Sequence, residues 1–316
     1  MSHQFREIAA RAVADGVVDA QEVLALRQVV WPDGLISPDE AEAILLLNDH
    51  VREHTPEWTD FVVEAVGEFV VNGCAPRGYV DADTADWLIA RIDHDGRLDS
   101  MTELELIVRV LERALNCPER LKAYALAQIE RAVVFGSGPT RDGGALSAGS
   151  VNESECALLR RVIFAAGGSG PARVTRPEAE MLFRIKDATL DGDNAPEWER
   201  LFVQGVGNFL QGWERPEQLT RERAGQLEAF MDDRTSNVGR FFSRMAQTAP
   251  NGLLSSLRGT GFGRRGLGAH SVAEARADFE VTDSERLWLD AQIDADDTLD
   301  RLEQALLRFV MEPQQP

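Results

Sequence analysis

The chain has 316 residues, 44% of them hydrophobic and 27% charged, and 53 acidic against 33 basic side chains give a formal net charge of −20. This excess of acid argues against nucleic-acid binding, because binding to phosphates needs clustered cations. The length suits two domains or one duplicated domain, and it is sufficient to bury a sizeable core. No apolar run approaches the roughly 18 residues of a transmembrane helix, and the start MSHQFREIAA does not resemble a signal peptide. Three unevenly spaced cysteines, Cys74, Cys117 and Cys156, predict reduced thiols in a cytoplasmic protein.

Helical patterns follow one another along the chain. Apolar residues recur at helical spacing within residues 24–30, 61–70 and 104–111. Helix starts are marked by a capping residue with glutamate three positions later, because the cap accepts from an orphan amide and the glutamate reaches back. These pairs are Asp19 and Glu22, Ser37 and Glu40, Ser100 and Glu103, Asn152 and Glu155, Thr175 and Glu178, and Thr282 and Glu285. Because no period-two strand pattern accompanies them, we predict an all-α bundle.

The two parts of the chain resemble each other. Residues 18–30 (VDAQEVLALRQVV) match residues 151–163 (VNESECALLRRVI), and FVVEAVGEFV at 61–70 matches LFVQGVGNFL at 201–210. A last block, WLIARIDHDGRLD, returns as WLDAQIDADDTLD with Trp288 in place of Trp87. Internal repeats determine the architecture, so we predict a tandem duplicated helical bundle.

The spacing between matching blocks grows sharply before the last one, which predicts a long flexible insert in the second copy at about residues 214–279. We assign residues 1–135 to the first repeat and residues 151–316 to the second. Residues 136–150, rich in Gly and Ser, are predicted to be a flexible linker.

Four polar residues recur in both copies at matching positions. They are Arg27 and Arg160, Glu42 and Glu180, Asp49 and Asp187, and Glu57 and Glu197. Because helix surfaces normally vary, we interpret these pairs as buried or half-buried arginine–carboxylate contacts between helices. The repeated tryptophans, Trp58 with Trp198 and Trp87 with Trp288, are expected to be core anchors whose indole N–H donates to a carbonyl.

Acidic turns around glycine are the candidate metal sites. One contains Asp15 and Asp19 with Glu22 following, and another contains Asp93, Asp95 and Asp99. Asp-Gly turns followed by acids are also typical helix starts, in which the carboxylates cap the helix and favour its dipole, so both interpretations stay open. The second turn is the better cation candidate because its acids return in the second copy as Asp294, Asp296 and Asp300.

The stretch IAARAVADGVVDAQEVLALRQVV…GLISPDEAEAILLLND resembles the tellurite-resistance TerB-like domains, over residues 7–49 well and over residues 151–187 weakly. The resemblance implies a small, all-helical, non-enzymatic domain that works in stress-response or membrane-associated complexes. Its proposed metal ligands would be Asp15, Asp19 and Glu22 here, with a divalent cation such as calcium as the cofactor.

Our main hypothesis is therefore a non-catalytic, cytoplasmic binding or scaffold protein of TerB-like type with divalent-cation sites in its acidic helix–turn–helix elements. An alternative is a degenerate EF-hand-like calcium sensor or buffer, although neither turn places acids at all the loop positions that calcium needs. A remote alternative is a zinc hydrolase, because His50, Glu53 and His54 fit the pattern H-x-x-E-H, which needs all three on one helix.

Residues 240–273 form a basic island in this acidic chain. They contain five arginines and no acid, mixed with phenylalanine, leucine and repeated glycine: Arg240, Arg244, Arg258, Arg264 and Arg265. Such a composition does not build a core by itself, so we expect either a mobile surface loop or an interaction arm that binds an acidic protein partner or the protein's own acidic bundle.

Overall fold

The computed structural model describes residues 3–31, 35–93, 96–141, 148–167, 173–210, 283–293 and 299–311. Within these ranges the chain is all-α, as predicted, and the only bridges between extended residues are two isolated ones. The helices are α1 (His3–Asp15), α2 (Ala20–Val30), α3 (Pro38–Asn48), α4 (Pro56–Asn72), α5 (Ala82–Ile92), α6 (Met101–Arg113), α7 (Glu119–Phe135), α8 (Glu153–Ile163), α9 (Arg176–Ala188), α10 (Glu197–Leu210), α11 (Asp283–Ile293) and α12 (Arg301–Met311), with a 3-10 turn at Pro139–Arg141.

Capping boxes begin several of these helices. The predicted boxes are confirmed at α2, α3, α6, α8 and α9, where the cap side chain faces the amide three residues on and the glutamate accepts from the cap amide. The sixth predicted box begins at Thr282, which lies outside the described residues. In the described part of the chain, these boxes account for much of the acid at helix starts.

Two tight turns at glycine, one between α1 and α2 and one between α4 and α5, each hydrogen-bond to a later connection between helices. Gly16 and Gly78 have φ angles of 82° and 85°, a left-handed conformation that glycine adopts at little cost. The carbonyl of Gly16 accepts from the amides of Arg52 and Glu53 at 2.7 and 3.1 Å, and a parallel bridge joins Val17 to Glu53. The turn at Gly78 forms the equivalent bridge between Tyr79 and Asn116.

The first six helices and the next six pack in the same order. Helix α1 packs on α2 and α3, and α4 then packs on α2, α3, α5 and α6. Correspondingly, α7 packs on α8 and α9, and α10 packs on α8, α9 and α12. Helix α7, which the sequence assigns to the first repeat, thus contacts the second set of helices in the way that α1 contacts the first.

Several individual contacts also occur twice. The buried carbonyl of Val18 accepts from the Thr55 hydroxyl, and that of Val151 accepts from the amide of Ala195. Edge-to-face ring contacts join Phe69 to Trp87 at 5.3 Å and Phe209 to Trp288 at 4.7 Å. These contacts agree with a duplication, which stays a prediction. The insert predicted at 214–279 lies outside the described residues.

The two sets of helices share one hydrophobic cluster. Helix α6 packs on α7 and α8, and at this junction the guanidinium of Arg161 on α8 binds Glu105 at 2.6 Å and Glu112 at 2.7 Å on α6. These hydrogen bonds to Arg161 lower the pKa of Glu112. Among the described helices, none combines the length and the apolar character that a membrane span requires.

Candidate functional site

The first predicted metal turn holds its carboxylates in a helix cap. Asp19 accepts from the amides of Gln21 and Glu22 at 2.8 Å each, and Glu22 accepts from the amide of Asp19 at 3.2 Å. Asp15 accepts from the amide of Val17 at 3.1 Å, and Glu22 also faces Arg11 at 3.5 Å. The carboxylates of this turn therefore accept hydrogen bonds from backbone amides, which agrees with the interpretation of the turn as a helix start.

The second predicted turn lies between α5 and α6. Asp93 ends α5 and accepts a hydrogen bond from the Tyr124 hydroxyl at 3.0 Å. Burial and this hydrogen bond raise the pKa of Tyr124. Asp99 precedes the cap of α6, and its amide donates to Glu103 at 2.9 Å. Asp95 lies outside the described residues, so the complete set of predicted ligands is not placed.

Of the three acids predicted to form the matching turn before α12, only Asp300 is described, and Asp294 and Asp296 lie outside the described residues. Asp300 caps α12 by accepting from the amides of Leu302 and Glu303 at 2.7 and 2.9 Å. Its other oxygen lies 2.5 Å from the ammonium of Lys186. Within the described part of the chain, no group of three or more His, Cys, Asp or Glu side chains is placed to hold a metal ion.

The histidines of the H-x-x-E-H pattern do not share a helix. Helix α3 ends at Asn48, before His50, and α4 begins at Pro56, after His54. Between them, Glu53 takes part in the parallel bridge to Val17, while Nδ1 of His50 hydrogen-bonds the carbonyl of Leu46 at 2.8 Å. Zinc hydrolysis by this pattern requires all three residues on one helix. That expectation is wrong, because residues 49–55 connect α3 to α4 and contact the Gly16 turn.

No family model, no curated protein and no solved structure matches this chain. The resemblance to TerB-like domains therefore stays a prediction.

The most strongly charged buried site, which sequence reasoning missed, surrounds Lys186. Its ammonium lies 2.5 Å from Asp300, 2.6 Å from Glu303 and 2.8 Å from Asp187, and the Lys186 side chain is only 1% exposed. Burial alone would lower the pKa of Lys186, but the hydrogen bonds to the three carboxylates outweigh it and raise the pKa. This cluster joins α9 to the start of α12.

Two further buried ion pairs have the same construction. Glu178, in the box of α9, binds Lys122 at 2.6 Å, and their side chains are 4% and 1% exposed. Glu155, in the box of α8, binds Arg141 through two hydrogen bonds of 2.7 and 2.9 Å. In each case a capping-box glutamate is also bound by a cation from another element. A box glutamate in an otherwise apolar helix face is the sequence signal that could have identified these pairs.

The recurring polar residues have mixed roles. Arg27 pairs with Glu64 at 2.7 Å, and Arg160 makes the corresponding hydrogen bond to Gln204 at 2.9 Å. Arg91 on α5 binds Glu42 on α3 at 2.9 Å and Asp49, the residue that caps the end of α3, at 2.9 Å, so these residues do join helices. In the second set, Glu180 accepts from Trp288 at 3.3 Å and Asp187 binds Lys186. Glu57 and Glu197 lie in the first turns of α4 and α10, where acids favour the helix dipole.

The two repeated core tryptophans, Trp58 and Trp198, differ in their hydrogen bonding. Both are almost fully buried, at 0% and 1% exposure. The indole nitrogen of Trp58 donates to the Asn48 side chain at 3.1 Å, and the amide of Asn48 donates to Glu103 at 3.4 Å. Lys186, in the last turn of α9, takes the position that Asn48 has at the end of α3, and an ammonium has no acceptor to offer. The indole nitrogen of Trp198 accordingly has no partner among the described residues, so the expected carbonyl acceptor is found at Trp58, as the side-chain carbonyl of Asn48, but not at Trp198.

We therefore expect unequal effects when each of these tryptophans is replaced by phenylalanine. Trp58→Phe leaves the buried Asn48 oxygen without its donor, which costs about 1–3 kcal/mol beyond the loss of ring volume. Trp198→Phe loses the same volume but no hydrogen bond. Urea unfolding of the two variants should show Trp58→Phe to be the less stable by at least about 1 kcal/mol. Equal destabilisation would contradict the conclusion that only the Trp58 indole makes a hydrogen bond.

The three cysteines are free and differ in exposure. Cys74 is exposed, whereas Cys117 and Cys156 are buried, and burial raises the pKa of both buried thiols to about 12. Because the thiolate is the reactive form, we expect only Cys74 to react promptly with a thiol reagent at neutral pH. All three should react in denaturant. Prompt modification of three thiols in the folded protein would show that the core opens readily.

Proposed function

We propose that the protein is a non-catalytic binding or scaffold protein, of TerB-like type, in which residues 240–273 bind an acidic protein partner. The observation that carries the proposal is a difference between the two sets of helices. Residues 73–81 connect α4 to α5, whereas residues 211–282 connect α10 to α11. The additional sequence includes the basic island, which has the charge opposite to that of the chain.

The buried ion pairs of the described helices support a structural role for these charges. The box glutamates of α8, α9 and α12 are buried and paired with Arg141, Lys122 and Lys186. Such pairs hold helices in register, and they leave the residues between α10 and α11 as the part of the chain best suited to recognition. An acidic partner is favoured because exposed cations steer and bind surfaces of opposite charge.

The proposal is tested by removing the charge of the island. In one variant, the arginines between 240 and 273 become serine: Arg240, Arg244, Arg258, Arg264 and Arg265. A control variant carries serine at the arginines of the same connection outside the island: Arg215, Arg221, Arg223, Arg234 and Arg276. Affinity capture should recover a partner with the wild type and the control, and lose it with the island variant. Binding of the purified partner should weaken with salt. Identical capture by both variants would contradict the proposal.

Cation binding forms the second part of the proposal and has its own test. Asp93 and Asp99 flank the turn at Gly96, whose φ is 81°. Calorimetric titration with calcium, magnesium and zinc should give binding that Asp93→Asn with Asp99→Asn abolishes. Asp191→Asn with Asp193→Asn, in a turn not predicted to bind metal, is the matched control. Silence with all three ions would remove the cation role and leave protein binding unaffected.

A further inference from the structure

A groove of about 550 Å³ lies open on the surface between α10 and α12. Half-buried apolar side chains of Val203, Ala305 and Phe309 line it, together with the exposed arginines Arg200, Arg301 and Arg308. It therefore combines an apolar surface with a concentration of positive charge, in a chain whose net charge is −20.

Two of the three arginines have no carboxylate partner in the described part of the chain. Arg301 pairs with Glu199, which also lines the groove, at 2.6 Å. Arg308 donates to the backbone carbonyl of Gln304 at 3.2 Å, and neither Arg308 nor Arg200 lies within salt-bridge distance of a described carboxylate. Among the described residues, the groove thus has two arginines without a carboxylate partner, a charge that favours an anionic occupant.

The corresponding surface of the first set of helices is already covered. Counting from the box glutamates Glu103 and Glu303, Val108 on α6 corresponds to Arg308 on α12. Val108 is fully buried, whereas Arg308 is exposed. Helix α6 packs on α4, α7 and α8, while α10 is the one described helix that packs extensively on α12.

Helix α8 packs on α6, and the charges at this contact show which kind of helix binds such a surface. At the junction of α6 and α8, Glu105 and Glu112 of α6 bind Arg161 of α8. On α12 the position of Glu105 is occupied by Ala305, and three arginines with one acid, Glu199, line the groove there. A helix that covers this surface in the same manner would need carboxylates where α8 has Arg161.

We propose that the groove between α10 and α12 binds an acidic amphipathic helix of a partner protein. The apolar side of that helix covers Val203, Ala305 and Phe309, and its carboxylates pair with Arg200 and Arg308. This inference rests on the proposed binding function but uses a different surface from residues 240–273, so each can fail separately.

The test measures the anisotropy of a fluorescein-labelled helical peptide of about 20 residues, long enough to form a helix, with leucine on one face and glutamate at its edges. We expect the full chain to bind it, and Arg200→Glu with Arg308→Glu to weaken binding at least about tenfold. Arg77→Glu with Arg97→Glu makes the same change of charge at exposed arginines of the first set and should bind as the wild type does. A peptide with lysine for every glutamate should not bind.

Several results would overturn the inference. They include no binding by the full chain, equal binding by the groove variant, and equal binding of the lysine peptide. Binding that appears only when residues 211–282 are replaced by the sequence of residues 73–81 would assign the groove to a segment of the same chain. Loss of self-association in the groove variant, measured by sedimentation, would assign it to a second copy. Partner capture that still depends on residues 240–273 would show that the proposed function survives any of these failures.

Discussion

Replacing Lys186 with methionine is expected to lower the free energy of unfolding by about 3–5 kcal/mol, because it leaves buried carboxylates without their cation. Asp300 and Glu303 are 7% and 0% exposed, and both lie within 2.6 Å of the Lys186 ammonium. Methionine fills a similar volume, so the loss measures charge compensation more than packing. Urea unfolding at neutral pH gives the free energy directly.

The matched control is Arg184→Met on the same helix. Arg184 binds Glu130 at 2.6 Å, but its side chain is 56% exposed. An exposed pair of this kind contributes about 0–1 kcal/mol, since water solvates both partners when the pair is broken. Similar losses of stability in the two variants would contradict the structural importance assigned to Lys186.

Arg141→Met is expected to cause a loss of comparable size, about 3–5 kcal/mol. The side chains of Arg141 and Glu155 are 2% and 0% exposed. The guanidinium donates two hydrogen bonds to Glu155 and one of 2.5 Å to the carbonyl of Ser150, and the Thr140 hydroxyl also donates to Glu155. Removing the arginine therefore leaves a buried carboxylate and a buried carbonyl short of donors.

A second substitution separates loss of the pair from general damage to the fold. The variant with Arg141→Met and Glu155→Leu removes both charges, and we expect it to be more stable than Arg141→Met alone. It should remain less stable than the wild type, because Glu155 also accepts from the amide of Asn152 at 3.0 Å in the box of α8. Equal stability of the single and the double variant would show that the charge left on Glu155 is not the source of the loss.

The helices and their starts could be predicted from the sequence because both depend on local features. A cap and its glutamate are three residues apart, and the apolar period is read along a single segment. Five of the six predicted boxes are confirmed for this reason, as is the all-α class. The interpretation of Asp19 and Glu22 as a cap was likewise available from their spacing.

The buried ion pairs could not be predicted, because their partners are far apart in the chain. Lys186 and Glu303, or Lys122 and Glu178, meet only after helices from different parts of the sequence have packed. The sequence predicts that Glu178 lies in the first turn of a helix, but not how that helix is rotated against α7. The histidine pattern was misleading for a related reason, since a match over His50–His54 carries no information about where α3 ends.

The different residues at the ends of α3 and α9 have a consequence for recombination between the two sets of helices. Moving α3 into the second set would bring the neutral amide of Asn48 to Asp300 and Glu303, whose negative charges Lys186 now neutralises. Moving α9 into the first set would instead bring the ammonium of Lys186 to Glu103, an acceptor it can use. We therefore expect chimeric chains to fold in one direction of exchange only, so that the two sets of helices are not interchangeable.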